Sequence, residues 1–190
     1  WIRKGYGKRY IGGKVSDFKS GDLVLVGPNV PHCWINETEI SEENVLATVI
    51  QFTQNFAGEI FWQLPEFRGI SKLFELSRSG LMIKGATRQQ VVAKMANLTN
   101  VDSFQKLILL FEILYEISSS SEIEIVDLQP TEFGFSSSDT HRFQNVFAYL
   151  IENYQNDVSL KTVSEIANLT PTAFCRYFKF VTRKTLVEIV

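Results

Sequence analysis

The chain has 190 residues, a formal net charge of −2 at pH 7 and 45% hydrophobic residues, a composition that supports one or two folded domains. No apolar run approaches the length of a membrane span, and Cys33 and Cys175 lack the spacing of a zinc site or a disulfide framework, so we expect a cytoplasmic protein without a membrane partner. Residues 141–190 contain six Lys or Arg and four Asp or Glu, a balance of +2 against −4 for residues 1–140, so only the C-terminal part leans towards polyanions.

The first forty residues, together with residues 45–52, predict β-structure. Gly and Asn mark turns at 12–13, 19–22 and 27–29. Between and after them, short runs rich in Val, Leu and Ile predict strands at 23–26, 31–36 and 45–52, the last apolar enough to be largely buried. Short strands with these turns are typical of part of a small antiparallel barrel.

One phrase in this region resembles a barrel motif. Gly-Asp-Leu-Val-Leu-Val followed by Pro-Asn-Val-Pro-His resembles the second motif of the cupin barrels, and His32 with Asn36 keeps its His-x-x-x-Asn spacing. A cupin metal site also needs a His-x-His pair and a Glu, whereas this chain has only His32 and His141. We therefore predict neither a metal site nor a cofactor, and regard His32 and Trp34 as candidate ligand-binding residues of a pocket.

The middle of the chain predicts helices. Helical spacing and turn residues indicate helices at 56–64, ending before Pro65, and at 71–79, ending at Gly80. Two more follow at 87–97 and 103–117, with Thr87 and Ser103 as their N-caps. The last of these is apolar nearly all round, which requires burial on two sides. Packing between the barrel and a neighbouring helix and a dimer interface both satisfy that requirement.

A Ser-rich, acidic stretch at 119–139 predicts a linker, although 123–128 and 133–135 contain apolar residues that allow docking on a neighbour. An amphipathic helix then follows, with Ser138 or Asp139 as its N-cap. Its apolar face consists of Phe143, Val146, Phe147, Leu150, Ile151 and Tyr154.

Two short helices joined by a tight turn end the chain. Ser159 is a candidate N-cap for the first, whose apolar face contains Leu160, Val163, Ile166 and Ala167. Asn168 tolerates the left-handed conformation of a sharp helix stop. Thr170 and Pro171 then begin the second helix as N-cap and first residue. We expect its buried stripe to be Phe174, Tyr177, Phe178 and Val181.

The opposite side of the second helix carries Thr172, Cys175, Arg176 and Lys179. A recognition helix enters the major groove of DNA with such a face, and Arg176 is suited to bidentate contact with guanine. Lys179 and Lys184 are suited to phosphates, which fix position without reading sequence. A solvated basic face on an ordinary helical hairpin is the simpler alternative.

Residues 157–188 resemble the first helix-turn-helix of the AraC/XylS family of bacterial regulators. The resemblance lies in Ser-Leu at the first helix, Asn-Leu-Thr-Pro at the turn, Phe174 followed by Arg-Tyr-Phe-Lys, and Lys-Thr-Leu at 184–186. It implies base-facing positions for Thr172, Cys175 and Arg176, and it brings Lys184 and Thr185 into the DNA-binding set. Arg183 stands where the family usually has Gly, so this helix must accept strain of about 1 kcal/mol or end differently.

The resemblance also implies an organisation. We expect an α+β fold, in which a partial cupin-like β-barrel with trailing helices at 1–118 serves as a sensor or dimerisation domain. A linker at 119–139 leads to the first half of an all-α helix-turn-helix domain at 140–190. The family has a second helix-turn-helix beyond this point, so the chain looks like an internal fragment of a longer protein.

No catalytic triad, phosphate-binding loop or paired-carboxylate motif stands out, and we expect no enzyme activity. The preferred interpretation is a DNA-binding transcription regulator that is a homodimer and responds to a small-molecule effector. The family resemblance suggests a sugar as that effector. The main alternative is a cupin-like enzyme or small-molecule-binding protein with a helical tail. A helical module that binds another protein is the third.

Overall fold

The computed structural model describes residues 1–37, 45–128, 137–153, 158–182 and 184–189, and their fold is of the α+β class. The strands are β1 (Ile2–Lys4), β2 (Tyr6–Ile11), β3 (Lys14–Lys19), β4 (Leu23–Leu25), β5 (His32–Asn36), β6 (Leu46–Ala47), β7 (Leu81–Ile83) and β8 (Ile123–Ile125). The α-helices are α1 (Arg68–Ser77), α2 (Gly85–Asn97), α3 (Ser103–Ser118), α4 (Ser137–Asn153), α5 (Leu160–Ile166) and α6 (Pro171–Thr182).

The strands form three small antiparallel sheets in the orders β1-β6, β3-β2-β5 and β4-β7-β8, and they do not close into a barrel within the described ranges. The hairpin between β2 and β3 turns at Gly12, whose φ of 59° lies in the left-handed region. The predicted strand at 45–52 is reduced to the two exposed residues of β6. Its apolar run has only the three-residue β1 to pair with, so strand propensity finds little partner backbone.

Helices α1, α2 and α3 pack on the β4-β7-β8 sheet and build the first hydrophobic core. Its fully buried members are Leu73, Leu81, Ile83, Val91 and Leu114, all at most 2% exposed. The predicted helix at 56–64 is wrong, because this segment forms only one 3-10 turn, Phe61–Gln63, and a second, Pro65–Phe67, follows it. Gly58, at a φ of 87°, and Pro65 interrupt a regular helix.

Two of the predicted N-caps are also displaced. Helix α2 begins at Gly85 rather than at Thr87. Its N-terminus is capped by the carboxylate of the distant Glu122. This carboxylate accepts a hydrogen bond from the Thr87 nitrogen at 2.8 Å and another from the Thr87 hydroxyl at 2.9 Å. Helix α3 takes Asp102 as its N-cap, which accepts from the Gln105 nitrogen at 2.9 Å, and Ser103 is its first residue.

Residues that follow α3 add a strand to the sheet of the first core. Strand β8 forms the third strand of the β4-β7-β8 sheet, with Ile123 opposite Ile83. Asp127 is 5% exposed and accepts a hydrogen bond from the Gly13 nitrogen at 2.9 Å, which fixes this segment to the tip of the β2–β3 hairpin. Residues 129–136 of the predicted linker lie outside the described part of the chain.

Helices α4, α5 and α6 form the second core. It contains Phe143, Val146, Phe147 and Leu150 of α4, as their helical spacing predicted, together with buried residues of α5 and α6. The same core includes Tyr10 of β2, which is 2% exposed. The side chains of Ser138, Asp139 and Ile151, and the whole of Tyr154, lie outside the described part, so the predicted cap and those two apolar positions are not described.

Candidate functional site

The turn between α5 and α6 has the geometry that its residues predict. The Ser159 hydroxyl caps α5 by accepting from the Thr162 nitrogen at 3.3 Å. Asn168 has a φ of 55°, so it adopts the left-handed conformation and ends the helix. Thr170 then accepts from the Ala173 nitrogen at 3.3 Å, and Pro171 is the first residue of α6. These local signals therefore position the start of α6.

Contacts with α4 and α5 fix the rotation of α6. Phe174, Phe178 and Val181 are each at most 1% exposed, and the Phe178 ring lies 5.9 Å from that of Phe147. Tyr177 is half-buried, and the Arg142 guanidinium lies 5.4 Å above its ring. Arg142 also donates to the Ala167 carbonyl oxygen at 2.7 Å, so one side chain joins all three helices.

Leu160 does not join the buried face of α5. Its side chain is 39% exposed at the first helical position, whereas Val163 and Ala167 are at most 1% exposed. Leu160 is the first residue of the seven-residue α5, almost one turn before the buried Val163, so it lies at the margin of the buried face.

The outward face of α6 carries four of the predicted site residues in one stripe. Thr172, Cys175, Arg176 and Lys179 are all exposed, and their spacing of three and four residues places them along one side of the helix. Helix α6 contains no acidic residue. Within the described part of the chain, no hydrogen bond or ion pair occupies the Arg176 guanidinium. The stripe is therefore available to a ligand.

Lys184 and Thr185 lie beyond the end of α6 and do not belong to this stripe. Thr185 begins a 3-10 turn, Leu186–Glu188, and its nitrogen and hydroxyl both donate to the Glu188 carboxylate, at 2.6 and 2.8 Å. Hydrogen bonds from the Thr185 backbone and hydroxyl lower the pKa of Glu188. Lys184 is half-buried. Arg183, with its predicted strain, is outside the described residues.

Helix α6 ends at a residue that no sequence motif singled out. Thr182 is fully buried; its hydroxyl donates to the Phe178 carbonyl at 2.7 Å and accepts from the Lys184 nitrogen at 3.1 Å. The turn after α6 is thus closed by a side chain instead of a glycine. A threonine in the last turn of a helix is the only local signal for this role.

His32 and Trp34 line a second feature, a cavity of about 720 Å³ between the β-sheets and helices α2 and α3. Their rings meet edge to face at 5.6 Å, and His32 Nδ1 lies 2.7 Å from the Val30 carbonyl oxygen. A cavity of this volume is typical of small-molecule sites. In the described ranges no group of three or more His, Cys, Asp or Glu is arranged to hold a metal ion.

The cavity and the second core share a wall, strand β5. Its residues alternate, so that His32 and Trp34 line the cavity while Cys33 packs against the core of α4, α5 and α6. Burial raises the pKa of the Cys33 thiol to about 12. Cys33 lies opposite Tyr10 of β2 in the sheet register.

Tyr10 makes the contact with the helices. Its hydroxyl donates to the Val181 carbonyl oxygen at 3.3 Å, and its ring lies 5.0 Å from Phe147 and 5.5 Å from Phe143. The cavity wall is therefore attached to the C-terminal end of α6. The role of Tyr10 could not be predicted from the sequence, because its partners are more than 130 residues away along the chain and a tyrosine in a strand carries no signal of them.

Comparison of the chain with protein-family models, curated proteins and solved structures finds no match. In the described ranges, no helix has the length and apolarity to cross a membrane.

Proposed function

We propose that this protein is a sequence-specific, DNA-binding transcription regulator of the AraC type, which acts in the cytoplasm, binds double-stranded promoter DNA through α6 and has no enzyme activity. The exposed stripe of Thr172, Cys175, Arg176 and Lys179 carries this proposal, because a rigidly seated helix presents it and the helix has no acidic residue to repel DNA. The major groove, about 12 Å wide, admits one α-helix.

The residues of the stripe have different roles in this proposal. Arg176 lies mid-helix and donates to guanine O6 and N7, a contact that discriminates by about 1–3 kcal/mol against other bases. Thr172, one turn earlier, contacts a base edge or a thymine methyl group, and Cys175 lies beside it. Lys179, one turn nearer the C-terminus, neutralises a phosphate. Lys184 and Thr185 contribute, if at all, from the turn after α6, where the Thr185 hydroxyl is already bonded to Glu188.

The cavity supports an effector site within the same proposal. A small molecule in the cavity contacts His32 and Trp34 on one face of β5. Cys33, on the other face of β5, and Tyr10, on the neighbouring β2, contact the helices. Ligand binding that shifts this wall changes how α6 is held, which is a coupling free energy between two sites.

A homodimer completes the proposal. Helix α3 buries Ile113, Leu114 and Ile117 but leaves a stripe of large apolar side chains uncovered, with Phe104 at 67% and Tyr115 at 63% exposed. Exposed apolar patches on helices mark association surfaces. Two copies joined there present two α6 helices to two half-sites.

The test is fluorescence anisotropy of duplexes from the upstream region of the protein's own gene, with the full-length protein at two salt concentrations. We expect selective binding with a steep salt dependence. Arg176→Ala should relax the preference at one base position, whereas Lys179→Ala should weaken binding to all sequences alike and flatten the salt slope by about one ion. Lys72→Ala, at an exposed position of α1, is the matched control and should bind as wild type does.

Identical behaviour of the Arg176 and Lys179 variants would contradict the assigned roles. Absence of DNA binding by the folded protein would favour the second candidate function, a small-molecule-binding protein whose C-terminal helices only pack. The cavity is the observation behind that alternative. This alternative predicts that the protein binds a ligand but no DNA. If the protein is a cupin-like enzyme, elemental analysis should also find a stoichiometric metal ion.

A further inference from the structure

The cavity beside β5 has a floor that excludes one class of ligand. Its deepest walls come from β7, α2 and α3, and they consist of aliphatic side chains that are at most 5% exposed: Ile83, Val91, Met95, Ile113, Leu114 and Ile117. None of these side chains donates or accepts a hydrogen bond. A sugar in contact with this floor would bury hydroxyl groups without partners, which is strongly unfavourable. The amide side chains of the lining, Asn29, Asn36, Gln51 and Gln54, lie outside the floor, in β5 and in segments between the helices and strands.

The charges at the cavity are equally restrictive. Lys4 and Asp22 are the two charged residues in the described lining. Asp22 is already bound, because Arg9 lies 3.1 Å from its carboxylate and both side chains are almost buried. Lys4 is exposed at the rim. A charged ligand would therefore lose its hydration without meeting a free opposite charge inside.

Two polar atoms remain available beside the aliphatic floor. One is the buried Trp34 indole nitrogen, which has no hydrogen-bond partner among the described residues and can only donate. The other is Nε2 of His32. The Val30 carbonyl oxygen can only accept a hydrogen bond, so His32 Nδ1 carries the hydrogen in their 2.7 Å contact. In the neutral ring, Nε2 is then an acceptor, and it has no partner among the described residues. It suits a single hydroxyl or N–H group of a ligand.

We propose that the cavity binds an uncharged, predominantly apolar small molecule that donates one hydrogen bond to His32 Nε2, and that it does not bind a sugar. The inference rests on the proposed function for the consequence of binding, since that function makes this cavity the effector site. The ligand class itself follows from the lining alone.

The experiment uses the fluorophore N-phenyl-1-naphthylamine, an uncharged apolar probe with one N–H group, added to the full-length protein without DNA. We expect saturable, one-site fluorescence enhancement. Competitors of matched chain length then test the class: 1-decanol should displace the probe at a concentration roughly tenfold lower than decanoate does, because decanoate must desolvate its charge. Arabinose and glucose should not displace it.

Variants place the probe in the cavity. Leu25→Trp, at a half-buried lining position, and Met95→Trp, on the floor, should each abolish the enhancement while far-UV circular dichroism stays native. Phe104→Ser removes the most exposed aromatic ring of α3 and should leave the enhancement unchanged, which excludes binding to that surface. His32→Phe should remove most of the preference for decanol over decane.

Several results would overturn the inference: no probe binding, displacement by a sugar, equal displacement by decanol and decanoate, or enhancement that Phe104→Ser removes. The competition series uses the wild-type protein, so a variant that fails to fold does not weaken it. Failure of the proposed function gives a different result. In that case the competition series still gives the expected order, but the protein does not bind DNA, or its DNA affinity is unchanged by saturating decanol.

Discussion

Asn168 shows how a single residue sets the position of helix α6. Its φ of 55° costs most side chains about 1 kcal/mol or more, whereas Gly adopts it freely and Asn tolerates it. We predict that Asn168→Ala lowers the free energy of unfolding by about 1 kcal/mol and that Asn168→Gly is close to neutral. Urea unfolding followed by circular dichroism measures both. Equal destabilisation by the two substitutions would show that the side chain, and not the backbone conformation, matters here.

The residues that could be predicted are those whose partners lie within four positions along the chain. Ser159, Asn168 and Thr170 act on their own backbone neighbourhood, so capping rules locate them from the sequence. Tyr10 and Arg142 act across the fold, on Val181 and Ala167, and nothing in their local sequence records those partners. The exposed stripe of α6 follows from helical periodicity once the buried stripe is identified.

Helix α2 depends on a carboxylate from another element. Glu122 lies just before β8 and accepts hydrogen bonds from the Thr87 nitrogen and hydroxyl. These hydrogen bonds lower its pKa below the ordinary value of 4.5. A lowered pKa in the folded state stabilises the protein above the ordinary pKa, and this contribution is lost as the pH falls through the folded-state pKa.

We therefore predict that Glu122→Gln lowers the free energy of unfolding at pH 7 and reduces its decline below about pH 4.5. Denaturant titrations at a series of pH values from 7 to 3 measure this change. The control is Glu59→Gln, at an exposed position outside the α-helices and strands, which should leave the curve unchanged. A parallel decline in wild type and Glu122→Gln would contradict the role of the carboxylate.

The β3-β2-β5 sheet is the element that connects the cavity to the helices. We predict that Tyr10→Phe, which removes the hydrogen bond to Val181, lowers the free energy of unfolding by about 0.5–1.5 kcal/mol. Tyr10→Ala also removes the ring that packs against Phe143 and Phe147 and should cost about 3–5 kcal/mol. Thermal unfolding, with hydrogen exchange of the α4 amides, measures both effects.

Tyr6 provides the control for this prediction. It lies on the same strand, β2, but is 49% exposed, so Tyr6→Phe and Tyr6→Ala should be nearly neutral. If Tyr10→Ala leaves the exchange of the α4 amides at the wild-type rate, the sheet does not hold the helices and the coupling route through β5 is wrong.

Elements with strong local patterns could be predicted, and weakly supported ones could not. Helix α3 and the α5–α6 pair have continuous helical periodicity, and their limits agree with the sequence within a few residues. Residues 45–52 and 56–64 are apolar runs without a decisive period, and their structure depends on which backbone lies beside them. The short β1 gives the first run little to pair with, and Gly58 prevents a helix in the second.

At the scale of the molecule, the surfaces divide between the two cores. The exposed cationic stripe belongs to the core of α4, α5 and α6, whereas the exposed apolar stripe belongs to α3 in the other core. The proposed function needs both surfaces at once: the stripe on α6 would bind DNA, and the stripe on α3 would set the separation of two copies. The α+β class was predicted from the sequence. The packing of β5 against the helices, which sets how closely these surfaces are connected, was not.

We predict that the protein is a dimer in solution and that the double substitution Phe104→Ser and Tyr115→Ser makes it a monomer, because these are the most exposed aromatic rings of α3. Burying a Phe or Tyr side chain contributes about 1.5–3 kcal/mol, so losing two in each copy weakens a micromolar dimer beyond detection. Sedimentation velocity at several concentrations measures the mass. Ile60→Ser, at a position 80% exposed, is the control and should remain dimeric.

The monomeric double variant should still bind a single half-site with its wild-type base preference, because α6 is unchanged, but it should lose the additional affinity for two half-sites. A double variant that stays dimeric would place the interface elsewhere and leave the stripe on α3 without that role.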